Sequence, residues 1–101
     1  MRIIVFFDLP TETSKDLSEY RKFRKTLINE GFFMMQESVY VKLALNNSIV
    51  NSIKEKLEKK KPRDGLVQML TVTEKQFTGI ETIVGKVETE ELNNTDRLVI
   101  L

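Results

Sequence analysis

The chain has 101 residues, a net charge of +1, and neither histidine nor cysteine. That length suits one domain with a single core. Without imidazole or thiolate, no Ser-His-Asp triad, Cys-His pair, HExxH helix, zinc ribbon or disulfide can form within it. Any catalysis would fall to Asp or Glu. Any metal would be held by carboxylates, carbonyls, amides and water, which selects a hard cation such as magnesium, manganese or calcium. No apolar stretch reaches the length of a membrane span, and no basic region precedes the short apolar run at the start. A cytoplasmic protein without membrane contact is therefore expected. The charge is unevenly spread: residues 1–63 carry +5 and residues 64–101 carry −4. The front of the chain is suited to a polyanion and the back to something basic.

In chain order, RIIVFFDL reads as a strand of β-branched and aromatic residues stopped by Pro10. Thr11 or Thr13 caps a helix that runs to about Glu30, with Gly31 as its stop. FFMMQ and VYVKLAL follow as two strands joined through Glu37 and Ser38. Asn46-Asn47-Ser48 caps a second helix, whose Ile49, Val50, Ile53 and Leu57 form an apolar stripe, and Pro62, Asp64 and Gly65 end it. LVQMLTVT is a fourth strand and TEKQF a single helical turn. GIETIVGKV and DRLVIL read as two further strands at the C-terminus.

This order predicts an α+β, ferredoxin-like βαββαβ fold over residues 1–101, with residues 80–101 as a strand extension for dimer and partner contacts. Two helices cover one face of such a sheet. Strand one is apolar on both faces, with Ile3, Val5 and Phe7 on one side and Ile4 and Phe6 on the other. A second cover is required, and a second copy of the chain supplies it: a face-to-face homodimer. The terminal Leu98, Val99, Ile100 and Leu101 are apolar on both strand faces and are expected to dock at a partner interface rather than fray.

Three groups of residues carry chemistry. Asp8 ends the first strand on the face of Ile4 and Phe6. It either starts the turn at Leu9-Pro10 or helps cap the following helix, or it meets its symmetry mate across the dimer with a divalent ion between them. In the first helix, Leu17, Tyr20, Phe23, Leu27 and Ile28 share an apolar arc with Arg24 inside it and Arg21 at its edge. Such a cation either pairs with Asp8 or a phosphate, or snorkels over the core. Lys22 and Lys25 point outward, and Lys59, Lys60, Lys61 and Arg63 follow the second helix. Part of the latter run complements the helix dipole; the rest is suited to phosphate contact without sequence readout. An RNA-recognition motif on this topology fails, because SVYVKLAL has no glycine and a single aromatic.

The opening M-R-I-I-V-F-F-D-L-P-T-E-T, the helix Y-R-K-F-R-K, the hairpin G-F-F-M-M-Q-E-S-V-Y and the late L-T-V-T-E-K-Q-F, in that order, resemble the CRISPR-associated protein 2 family, in particular members from type II systems. The resemblance extends through D-R-L-V-I-L. It implies a ferredoxin-like homodimer that joins the integrase CRISPR-associated protein 1, cradles double-stranded prespacer DNA and serves its insertion into the CRISPR array. The family is also described as magnesium-dependent endonucleases acting on RNA or DNA. In that description the first-strand aspartate of each protomer, here Asp8, shares Mg2+ or Mn2+ across the dimer. One carboxylate per chain is a thin ligand set, so an architectural role is expected to dominate over phosphodiester hydrolysis.

Overall fold

A computed structural model describes residues 1–86. The elements are β1 (Arg2–Asp8), α1 (Ser14–Asn29), β2 (Phe33–Gln36), β3 (Val39–Leu43), α2 (Asn47–Lys59), β4 (Leu66–Val72) and α3 (Glu74–Thr78). The strands form one antiparallel sheet in the order β2-β3-β1-β4, which puts β1 and β3 in the middle as right-handed crossovers require.

Local chemistry sets each boundary. Thr13 is the N-cap of α1. Its hydroxyl accepts from the Asp16 N–H at 3.0 Å, and the Asp16 carboxylate accepts from the Thr13 N–H at 3.1 Å, a closed capping box. Asn46 caps α2 by accepting from the Ile49 N–H at 3.0 Å. Ser38 in the β2–β3 turn holds a φ of +64°, and a bulge between Met34 and Gln36 adjusts the hairpin register. At Gly65 (φ +98°), an added Cβ would lie 2.6 Å from the Asp8 carbonyl oxygen, so β4 approaches the end of β1 closely only because this residue is glycine.

Period two divides β1 between two layers. Ile3, Val5 and Phe7 pack with Phe23 and Leu27 of α1 and Val50, Ile53 and Leu57 of α2. Phe7 anchors this core through edge contacts to Tyr20 and Phe23 (centroids 5.8 and 5.2 Å) and a stacked contact to Tyr40 (5.8 Å). Leu17 and Ile28, at one margin of the apolar arc of α1, are left 38% and 45% exposed.

The opposite face is only half open. α3 folds back over its Arg2 end, where Phe77 packs with Val41, Ile4, Phe33, Met35 and Val72. Arg2 is 4% exposed; its guanidinium lies 4.5 Å from the Phe77 ring centroid, and its Nε donates to Glu74 at 2.8 Å. Thus α3 supplies part of the cover expected from a second copy. Around Asp8 the face stays bare: Phe6 and Val39 are half-buried, and Leu66 and Leu70 are 56% and 50% exposed.

The strand expected over GIETIVGKV is not formed in residues 79–86. Ile83 and Val84 are 86% and 90% exposed and the chain bends through Gly85. A strand exists only where a sheet edge accepts its backbone, and these residues meet none within the described chain. Val87, the acidic stretch that follows and DRLVIL lie outside the described residues.

Phe77→Ala tests the α3 cover. Deleting this ring should cost about 3 kcal/mol, against a typical range of about 3–5 kcal/mol for buried Phe→Ala. At fixed protein concentration the melting temperature should fall by more than about 10 °C in thermal unfolding. A loss under about 1 kcal/mol would show that α3 contributes little to covering the sheet.

Candidate nucleic-acid interface

Two regions carry the candidate residues, and they lie on opposite sides of the sheet. On the helical side, Lys22 and Lys25 are three apart and therefore neighbours on α1, with Thr26 and Asn29 beside them. The tertiary fold brings the end of α2 alongside. Lys22, Lys25, Thr26 and Asn29 line one groove together with Lys60, Lys61 and Pro62, with Phe23 at its floor and Glu19 at one end. Lysines nearly forty residues apart in sequence thus converge. None of these four is in an ion pair among the described residues; the one α2 lysine that is, Lys56, meets Glu30 of α1 at 3.3 Å. Four lysines that converge with Glu19 as the single carboxylate of the lining create a positive field suited to an anionic chain.

Lys59 and Arg63 do not join this groove. Lys59 is exposed on the last turn of α2, where it complements the helix dipole. Arg63 lines an adjoining hollow with Leu9, Pro10, Lys15, Asp16, Glu19, Pro62 and Asp64. Glu19 and Pro62 border both depressions. The second sets Lys15 and Arg63 against three carboxylates, so its lining is less basic than that of the groove.

Arg24 has a partner that its sequence neighbourhood did not reveal. Its Nε donates to the Tyr40 hydroxyl at 2.8 Å, so it satisfies a phenol whose ring is buried in the core. Neither Asp8 nor a free phosphate is needed to explain it. Arg21 is exposed.

On the sheet side, Asp8 ends β1 opposite Leu66 of β4, on the face of Ile4 and Phe6. The backbone is held on both flanks: the Phe7 N–H donates to the Ser38 carbonyl at 3.1 Å, and Gly65 packs against the Asp8 carbonyl. The carboxylate itself is exposed and makes no hydrogen bond or ion pair among the described residues. Nor do the described residues contain any group of three or more acidic side chains that could hold a metal. A hard divalent cation takes about six oxygen ligands, so the described residues of one chain do not by themselves make a metal site around Asp8. Among the described residues no helix is long and apolar enough to cross a membrane.

Comparisons with known proteins agree with this frame. The family model described as CRISPR associated protein Cas2 matches residues 1–80. A protein of Treponema denticola named CRISPR-associated endoribonuclease Cas2 is 54% identical over 101 residues, covering the whole of both chains. One of Streptococcus mutans with the same name is 46% identical over all of this chain and 93% of its own. The crystal structure of Streptococcus pyogenes Cas2 at pH 6.5 superposes with a TM-score of 0.63 at 21% identity, over 83% of this chain and 100% of that one, a likeness of fold. The chain belongs to the CRISPR-associated Cas2 family, and the streptococcal relatives fit a type II member.

Proposed function

We propose that the chain is a spacer-acquisition subunit. Its homodimer bridges the integrase CRISPR-associated protein 1 in the cytoplasm and grips prespacer double-stranded DNA through its phosphates. The convergence of Lys22 and Lys25 with Lys60 and Lys61 in one groove carries this reading. The groove has the charge for a polyanion, and its lysines, as flexible point charges, are suited to phosphates rather than base edges. The bare half of the sheet around Phe6, Val39, Leu66 and Leu70 supports the dimer, since a second copy is self-complementary to it across a two-fold axis.

A second reading is favoured by the names of the relatives, which are called endoribonucleases. In it, Asp8 of each protomer holds Mg2+ or Mn2+ at the dimer axis. Bound there, the ion would serve as a Lewis acid toward a phosphodiester. The chain's own contribution is to present an exposed carboxylate from a fixed backbone beside the apolar patch. With two carboxylates per dimer and the remaining ligands left to water, this set is smaller than hydrolytic metal sites usually employ, and the architectural role is the primary one.

Light scattering should report roughly twice the monomer mass wherever the protein stays folded, because the bare face otherwise meets water. A folded monomer at micromolar concentration would sink the dimer. Asp8→Ala should leave that dimer intact while abolishing any RNA or DNA cleavage and any magnesium-dependent rise in melting temperature. Spacer acquisition in cells should largely survive. Its collapse, with dimer and integrase binding intact, would make hydrolysis the function. Truncation after Asn94 removes Leu98–Leu101 and should weaken integrase capture in pull-downs, while the groove keeps its affinity for DNA. Undiminished capture would take the tail out of the interface.

A further inference from the structure

We infer that the flank of α1 turned away from α2 is a docking surface for an acidic amphipathic helix of a partner protein. Leu17, Arg21, Arg24 and Ile28 of α1 form it, with Met34 of β2 beside them. The surface is distinct from the lysine groove and from the bare sheet face, and it lies wholly within one chain.

The helical period places it. Leu17, Arg21, Arg24 and Ile28 follow one another at steps of four, three and four residues and fall within about 60° around the helix. Lys22 and Thr26, which line the groove shared with the end of α2, lie about 130–170° from the middle of that stripe. The Nε of Arg24 donates to the Tyr40 hydroxyl at 2.8 Å, and Met34 is the cross-strand partner of Tyr40, so β2 extends the stripe sideways. Leu17, Ile28 and Met34 are 38%, 45% and 43% exposed, and both arginines are exposed.

Charge on this flank is one-sided. The two acidic residues of α1, Asp16 and Glu19, both line the hollow beside Pro62, and Glu30 is bound to Lys56. Glu37, in the turn after β2, is exposed and pairs with neither arginine. Lys42 adds a cation near the end of α1, where its Nζ would lie 2.6 Å from a Cβ added at Gly31. Among the described residues neither Arg21 nor Arg24 is in an ion pair. The Tyr40 contact holds the Arg24 guanidinium in place, and its terminal nitrogens are suited to a carboxylate.

A lone exposed leucine would need no explanation. Here three large apolar side chains are interleaved with two arginines, while Lys15, Lys22 and Lys25 of the same helix all fall outside the stripe. Arg and Met are enriched at protein interfaces and Lys is depleted. Phosphates would use the arginines but leave Leu17, Ile28 and Met34 in water. A helix with carboxylates and apolar residues three and four apart uses both. Strand addition at the outer edge of β2 is less suited, because β2 has four residues and a bulge between Met34 and Gln36.

The probe is a synthetic helix of about 20 residues, with leucines on one stripe and glutamates flanking it. The same helix with lysine for glutamate is the control. Fluorescence anisotropy with the full-length protein should show binding of the acidic helix and none of the basic one. Arg21→Glu with Ile28→Ser, both at exposed positions, should weaken binding at least about tenfold at an unchanged melting temperature. Leu17→Ser should weaken it in the same direction, and Lys25→Glu, outside the stripe, should leave it nearly unchanged. Equal binding of the acidic helix by the wild type and the double variant overturns the surface, as does no binding by the wild type. If the double variant instead loses affinity for a DNA duplex as fully as Lys25→Glu with Lys61→Glu, the arginines serve phosphate and the protein partner is overturned.

Discussion

The structure depends on one constraint: a central strand that is apolar on both faces. β1 is flanked by β3 and β4, so neither of its edges reaches water, and its side chains can be covered only from above and below. Two helices cover one side. On the other, parity places Arg2 on the same face as Ile4 and Phe6, which puts a guanidinium where apolar cover is needed. α3 meets both demands at once, Phe77 as apolar lid and cation acceptor, Glu74 as counter-charge. Five residues span too little to cover the rest. The uncovered half and the exposed Asp8 at its margin are two consequences of the same short helix.

A second consequence is the separation of surface types. Helices packed on one side leave their solvent faces for charge, while the sheet side is left with apolar residues. Lysines therefore collect on the helical surface, where the dipole of α2 favours Lys56 and Lys59 and where Lys56 is further bound to Glu30. Lys60 and Lys61 lie beyond those favourable positions and face Lys22 and Lys25. Convergence of this kind costs some stability through mutual repulsion, which is easiest to understand where a polyanion relieves it. The apolar and basic surfaces do not compete for the same partner, so self-association and phosphate binding are compatible.

Much of this was legible in the sequence because it is local. Thr13 with Asp16 three residues on is a capping box in any context, Asn46 is a strong N-cap, and period two in RIIVFFD assigns faces without knowledge of the rest. What was not legible depends on residues that meet only in the fold. Arg24 reads in sequence as a cation that pairs with Asp8 or a phosphate or snorkels over the core, but its partner is the hydroxyl of Tyr40, sixteen residues away on another element. TEKQF read as a single turn, and nothing in five residues announces that its phenylalanine closes over β1. Lys59, Lys60 and Lys61 are alike in sequence, yet 100° of helical rotation per residue and the end of α2 set the first apart from the other two. GIETIVGKV has strand composition, but in residues 79–86 the described chain offers it no edge to pair with.

The two candidate sites differ in what completes them. The groove is assembled within one chain: α1 and the end of α2 are fixed relative to each other by the shared core of Phe23, Leu27, Ile53 and Leu57 and by the Glu30–Lys56 pair. Asp8 is incomplete in one chain. Its backbone is positioned by Ser38 and by the close approach of Gly65, so the carboxylate is delivered to a defined place, yet among the described residues it makes no hydrogen bond or ion pair there. In the proposed function, phosphate binding would thus belong to the protomer and any hydrolysis to the dimer. This asymmetry supports the proposed bridge as the primary role, because its grip on phosphate calls only on lysines that one chain already brings together, while the spacing is left to the dimer.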